Sequence, residues 1–190
     1  MNTFPEITIN AHSSIRIAGS KVLYFDPYLF QTAPHDADVI FLTHDHFDHE
    51  SAEDIEKVSK PGTIVVRYTE ASIPGLTVRT VPAYNPNKKF HPKENHWVGY
   101  LVTMDGVTYY VAGDTDETPE LLSVQADVAM LPVGGTYTMT AEEAAEAAKK
   151  MSVPAFIPTH YGAIVGEKTD GERFRDLIGN EKNVVLKLFR

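Results

Sequence analysis

The run Val39-Ile40-Phe41-Leu42, ended by Thr43 and followed at once by His44-Asp45-His46-Phe47-Asp48-His49, constrains this chain more than any other stretch. Four consecutive apolar residues suit a short strand buried on both faces. His44 and His46 leave that strand with period two, so their imidazoles can point to one side, and the turn before Ser51 can swing Asp48 and His49 back into the same pocket. Imidazole nitrogen and carboxylate oxygen are the ligands a borderline metal such as zinc accepts when no thiolate is offered. None is offered, because the chain has no cysteine. Disulfides and cysteine nucleophiles are excluded with it.

Around this cluster the pattern reads first as strands and later as alternating strands and helices. Ile7 to Ile9, Ser13 to Ile17 and Val22 to Phe25 are predicted strands, the last two joined by a turn at Ala18-Gly19-Ser20. Ser51, followed by Glu53 and Asp54, predicts an N-cap and a helix to Val58, closed by Pro61-Gly62. Strands are expected at Thr63 to Arg67, Leu76 to Val81, Val98 to Met104 and Val107 to Ala112, with a turn at Asp105-Gly106. The polar, proline-containing stretch from Ala83 to Asn95 is a predicted long loop. Val128 to Val133 and Ala155 to Ile157 are apolar strands, Thr140 to Glu143 is a capping box opening an alanine-rich helix to Met151, and Gly171 to Ile178 is a further helix. A strand from Val184 to Leu188 closes the chain. This order suggests two sheets with helices packed outside, an α/β (α+β) fold, rather than a doubly wound parallel sheet.

At 190 residues, 43% of them apolar, the chain suffices for one sizeable core, so a single domain spanning 1–190 is expected. A net charge of −9 argues against a nucleic-acid partner, whose affinity rests on Lys and Arg. Met1 to Asn10 carries no basic start followed by an apolar run, and no 18 apolar residues follow one another, so export and membrane insertion are unsupported. With the missing cysteines this fits a cytoplasmic protein.

The stretch His44-Asp45-His46-Phe47-Asp48-His49 matches the H-x-H-x-D-H signature of the metallo-β-lactamase superfamily. Its surroundings resemble the branch of the L-ascorbate-6-phosphate lactonase proteins, through Ala11-His12-Ser13, Asp26-Pro27, Ala112-Gly113-Asp114-Thr115, Leu131 to Thr138 and Pro158-Thr159-His160-Tyr161. The resemblance implies a four-layer αββα sandwich and two divalent metal ions, zinc first, with manganese, iron or nickel as alternatives. It implies that His44 and His46 hold the first metal, that Asp48, His49 and His160 hold the second, and that Asp114 bridges them. The third histidine of the first metal is expected where Asn85 stands. An amide is a poor zinc ligand, so either that site is weakened or a loop histidine, His91 or His96, reaches in; His91 is preferred, because His96 abuts Trp97 at a strand start. Asp26 of the Asp-Pro element is expected to support a ligand histidine.

His12 is a candidate for a supporting or substrate-facing group, and Tyr137, in the Gly134-Gly135-Thr136-Tyr137 turn, is expected to line the pocket and offer its phenol to a developing charge. The resulting expectation is hydrolysis by a metal-bound hydroxide, oriented by Asp48 as catalytic group, of a small ester, lactone or phosphate-bearing metabolite. A single-stranded nuclease and a non-catalytic metal-binding relative are the rival readings. Relatives of this kind frequently assemble into homo-oligomers.

Overall fold

Period-two alternation along the strands decides where the core sits. In the computed structural model, which describes residues 2–187, five strands form one sheet in chain order: β1 (Ile7–Ala11), β2 (Ser14–Ala18), β3 (Val22–Phe25), β4 (Ala37–Leu42) and β5 (Ser59–Arg67). The first three pair antiparallel, whereas β3, β4 and β5 run parallel. A second sheet holds β6 (Thr77–Pro82), β7 (Val98–Met104), β8 (Val107–Val111), β9 (Val128–Pro132), β10 (Ala155–Thr159) and β11 (Asn183–Val184) in the order β11-β10-β9-β8-β7-β6. Here β8 to β11 are parallel and β6 and β7 antiparallel.

Alternate residues then separate into three apolar layers. Ile15 and Ile17, Leu23 and Phe25, and Val39 and Phe41 from the first sheet meet Tyr100, Val102, Met130 and Ile157 from the second in a central core. The intervening residues Tyr24, Ile40 and Leu42 face outward beneath helix α1 (Ala52–Val58), packing with its Val58. Their counterparts Tyr110, Ala129, Leu131 and Phe156 face helices α3 (Ala141–Lys150) and α4 (Asp170–Ile178), where Ala144, Ala148 and Phe174 lie. The result is the expected four-layer αββα sandwich. Each fully buried large side chain, such as Phe25 or Phe41, contributes roughly 1.5–3 kcal/mol by leaving water.

Local signals fix the elements. The side chain of Ser51 accepts from the Asp54 N–H at α1, and Thr140 and Glu143 form the reciprocal capping box at α3. Asp105 and Gly106 both take positive φ, as the tight turn between β7 and β8 requires. Some expectations are corrected, and one element is added. Pro61-Gly62 does not close the helix: α1 ends at Val58, and both residues lie within β5, which begins at Ser59. β5 is an edge strand, where a proline costs no ladder hydrogen bond. The short helix α2 (Pro119–Leu122), capped by Thr118, was not anticipated, and the 83–95 loop ends in a 3-10 turn at Lys93–Asn95. The final strand pairs only at Asn183–Val184; its expected end at Leu188 lies outside the described residues. No helix is long and apolar enough to cross a membrane among the described residues.

Candidate metal centre

β3, β4, β8 and β10 all end in residues that converge on one point. Asp26, directly after β3, is fully buried and accepts three hydrogen bonds. Its Oδ1 takes the Thr43 backbone N–H at 2.8 Å, and its Oδ2 takes the Thr43 hydroxyl at 2.7 Å and His49 Nδ1 at 2.8 Å. His49 Nδ1 therefore donates, and Nε2 is the atom left to face the pocket. The same logic sets His44. Since the Thr43 hydroxyl gives its proton to Asp26, it accepts from His44 Nδ1 at 2.9 Å, which leaves the lone pair on His44 Nε2. Gly113, at φ +65°, makes room for this arrangement, since a Cβ there would lie 2.9 Å from Thr43 Cβ.

The long loop supplies the next group. Asn85 Oδ1 accepts both the backbone N–H of His91, at 3.0 Å, and its Nδ1–H, at 2.8 Å. Asn85 thus braces His91 and turns its Nε2 inward. Of the two loop histidines, His91 is the one that is buried beside Asp114, while His96 is exposed. His160, after β10 and with φ 59°, is held through its backbone N–H to the His12 carbonyl at 3.0 Å.

These groups surround Asp114, which is 4% exposed. Its Oδ2 lies 3.0 Å from His160 Nε2, 3.2 Å from His91 Nε2 and 3.9 Å from His44 Nε2, and its Oδ1 lies 3.3 Å from His49 Nε2. Yet none of those four Nε2 atoms, nor Asp114 Oδ1, has a hydrogen-bond partner among the described residues. Buried polar atoms are almost always partnered, and a set left open around one carboxylate fits a bound cation. Candidate ligand atoms fall into overlapping groups, each within 4.8 Å: His44, His46 and His91; His44, His49 and Asp114; and His12, Asp48, His49 and His160. His46, half-buried, lies with its ring 4.7 Å from that of His44 and 5.0 Å from that of His91.

Electrostatics agree with that reading. Burial holds the His44 pKa well below the ordinary value and lowers that of His46, with neighbouring histidines adding to both shifts. Burial likewise pulls His12 down to about 4, against the pull of Asp48. Asp114 resists the effect of burial and stays well below the usual carboxylate range, because His160 and His49 face it. His49 is the exception: burial opposes its proton, but Asp114 and Asp26 outweigh burial and raise it to about 9. A proton on His49 so held faces Asp114 as a counter-charge, the place that a bound cation would take.

His12, fully buried, donates its Nε2–H to Asp48 Oδ2 at 3.1 Å, and its ring lies tilted against that of His160 with centres 3.8 Å apart. Sequence reasoning did not single out Thr43, which ties Asp26 to His44, or Trp97, whose ring lies 4.7 Å from His46 and 5.1 Å from His44. Above the cluster opens a cavity of about 270 Å³, with His46, Asp48, His91 and Asp114 at its floor. Phe47, Phe90, Tyr137 and Ile164 form its walls, and the Phe90 and Tyr137 rings meet edge to face at 4.8 Å. A larger depression of about 380 Å³ beside α3 is lined by Lys88 and acidic residues such as Glu142 and Glu146 and holds none of the histidines.

Comparison with known proteins bears on the whole of this arrangement. A family profile described as "Beta-lactamase superfamily domain" matches residues 6–160. A UPF0173 metal-dependent hydrolase of Thermococcus kodakarensis is 32% identical, with 92% of each chain covered, and one of Pyrococcus furiosus is 30% identical over 95% of each. A crystal structure bearing the name of a metal-dependent hydrolase from Parabacteroides distasonis superposes with a TM-score of 0.81 at 30% identity, covering 97% of this chain and 93% of that one. Igni18, a metallo hydrolase of Ignicoccus hospitalis, shares the fold at a TM-score of 0.76 and 22% identity, over 96% and 94%. The chain belongs to the metallo-β-lactamase superfamily and is one of its metal-dependent hydrolases.

Proposed function

We propose that the protein hydrolyses a small ester, lactone or phosphate-bearing metabolite at a site that takes two divalent ions, zinc foremost and manganese, iron or nickel as alternatives. The observation that carries this is the convergence of unpartnered buried atoms, Nε2 of His44, His49, His91 and His160, on the Asp114 carboxylate. His44, His46 and His91 form the first ligand set, Asp48, His49 and His160 the second, and Asp114 lies between them. When bound, the ions would supply Lewis acidity, lowering the pKa of water toward neutrality and polarising the scissile oxygen. The lactonase-like motifs quoted above favour a small-metabolite substrate over a polymer.

The chain's own groups do the rest. Burial works against ionisation of Asp48, but the His12 contact and the charge of His49 outweigh it and keep its carboxyl below the usual range. An ionised carboxylate on the pocket floor can orient water and accept its proton. His12 fixes that carboxylate by the 3.1 Å contact to Oδ2. Asp26 and Asn85 hold His49 and His91 in the tautomer that leaves Nε2 facing inward. Tyr137, 38% exposed, lines the cavity and is the phenol available to a charge developing on the substrate.

The test is metal content and turnover on ester, lactone and phosphodiester panels, for the wild type and His46→Ala. Two equivalents of metal and measurable hydrolysis are expected in the wild type, and loss of both in the variant. A variant that keeps its metal and its activity sinks the assignment.

A further inference from the structure

We infer that the substrate, beyond its scissile group, is uncharged and apolar, so that among the classes above the natural one is a small acyl ester or lactone with a hydrocarbon body. This rests on the hydrolytic reading of the same site and narrows it. The four side chains that wall the cavity, Phe47, Phe90, Tyr137 and Ile164, present hydrocarbon and one phenol, and among the described residues no Lys or Arg lines it. Three of them are among the few exposed large apolar side chains of the described residues: Phe47 is 69%, Ile164 41% and Tyr137 38% exposed. They come from separate segments, the His44–His49 turn, the turn before α3 and the loop before α4, yet gather around one opening. An apolar rim of this kind, held over a polar floor, marks a surface kept for a ligand rather than for the core.

Charge points the same way. Recognition of a phosphate outside the reacting centre is usually made by Arg, Lys or backbone N–H groups at a helix N-terminus. Lys88, nearby in sequence, is spent on Asp116 Oδ1 at 2.7 Å and the Thr138 carbonyl at 2.8 Å. Lys89 is exposed, its Nζ 5.8 Å from the centre of the Phe90 ring, outside the cavity lining. A volume of about 270 Å³, just below the usual span for drug-sized ligands, limits the body to a short chain or a single ring.

The experiment uses the full chain reconstituted with zinc or manganese and a series of p-nitrophenyl esters, from acetate through butyrate to hexanoate, beside p-nitrophenyl phosphate and bis(p-nitrophenyl) phosphate. The expected result is a kcat/KM that climbs about threefold per added methylene until the cavity is filled, with both phosphorylated compounds at least about tenfold poorer than butyrate. Ile164→Ser, a change at a half-exposed loop position, should flatten that climb without altering metal content. A flat or falling ester series, or preference for either phosphate compound, overturns the inference while leaving the hydrolase reading in place. Turnover of none of them defeats the hydrolase reading instead. The cavity is then judged by ligand-observed NMR titration of the metal-loaded protein: methyl butyrate binding at least about threefold tighter than methyl acetate upholds the inference, and equal binding overturns it.

Discussion

Asp26→Asn isolates the most economical piece of the site, since it changes one atom of a side chain that touches no substrate. Asp26 is 0% exposed and accepts hydrogen bonds of 2.8, 2.7 and 2.8 Å from the Thr43 N–H, the Thr43 hydroxyl and His49 Nδ1. If the asparagine oxygen keeps the Thr43 N–H, its NH2 group must face the hydroxyl and His49 Nδ1. Two donors then oppose each other at His49 unless the imidazole moves its proton to Nε2, the atom that faces Asp114 at 3.3 Å. A protonated Nε2 has no lone pair for a metal, and Thr43, turned around, also loosens His44. Loss of such a supporting carboxylate weakens metal binding roughly 10- to 100-fold, or about 1.4–2.8 kcal/mol. The metal-free fold should lose about 1–2 kcal/mol from exchanging a charged acceptor for a neutral one. Competition against a chelator of known affinity measures the first quantity, and urea unfolding followed by the single Trp97 measures the second. Metal affinity within twofold of wild type, in a variant with unchanged circular dichroism, would refute the claim that Asp26 sets the His49 tautomer.

Three further outcomes are expected. Asn85→Ala should remove the brace on His91 and weaken one of the two metal-binding steps about 10- to 100-fold, whereas Asn85→Asp, which retains an acceptor for both His91 N–H groups, should restore most of it in the same chelator assay. Gly113→Ala forces a left-handed residue, at a cost of roughly 1–2 kcal/mol, and drives a Cβ against Thr43, so the melting temperature should fall by about 5 °C or more. Away from the site, Asp36 is held below the usual carboxylate range: burial raises it, but the Tyr24 hydroxyl and Arg16 outweigh burial. A depressed folded pKa stabilises above the unfolded value and is lost as pH falls through the folded one. Asp36→Asn should therefore cost up to about 1 kcal/mol at pH 7, the pair being about a third exposed, and its deficit against wild type should shrink as pH drops below about 4, read from urea unfolding at stepped pH.

How much of this was legible in the sequence depends on whether the signal was periodic. Where apolar residues alternate, as Ile15 and Ile17 do about Arg16, pattern alone assigns each side chain to its layer, whereas the continuous run Val39 to Leu42 says only that its strand is buried on both faces. The residues that leave those strands, Asp26, His44, Asp114 and His160, inherit their placement from the strand ends, so their convergence is a consequence of the same pattern. Pro61-Gly62 misled because a sequence does not say which strand is an edge; β5 is one, and there the two punctuating residues do no harm. The wall of the cavity was hidden for a related reason: Phe47 and Ile164 are as apolar as any core residue, and only the fold shows that they face water.

His91 marks the limit most sharply, because nothing periodic governs a loop. The strand before it ends at Pro82, and the position where a ligand histidine was expected holds Asn85. The loop then folds back, so that the Asn85 N–H reaches the His91 carbonyl at 2.8 Å while its Oδ1 takes the two His91 donors. Three hydrogen bonds between residues six apart close the loop on itself and deliver a ring nitrogen to within 3.2 Å of Asp114. A short amide does this because its one oxygen accepts from both His91 donors, which a histidine in place of Asn85 could not do. The amide at the position where a ligand was expected is, on this geometry, the means by which His91, the ligand proposed six residues later, is oriented. It also follows that His91→Ala and Asn85→Ala should impair the same metal-binding step and, combined, weaken it no further than His91→Ala alone.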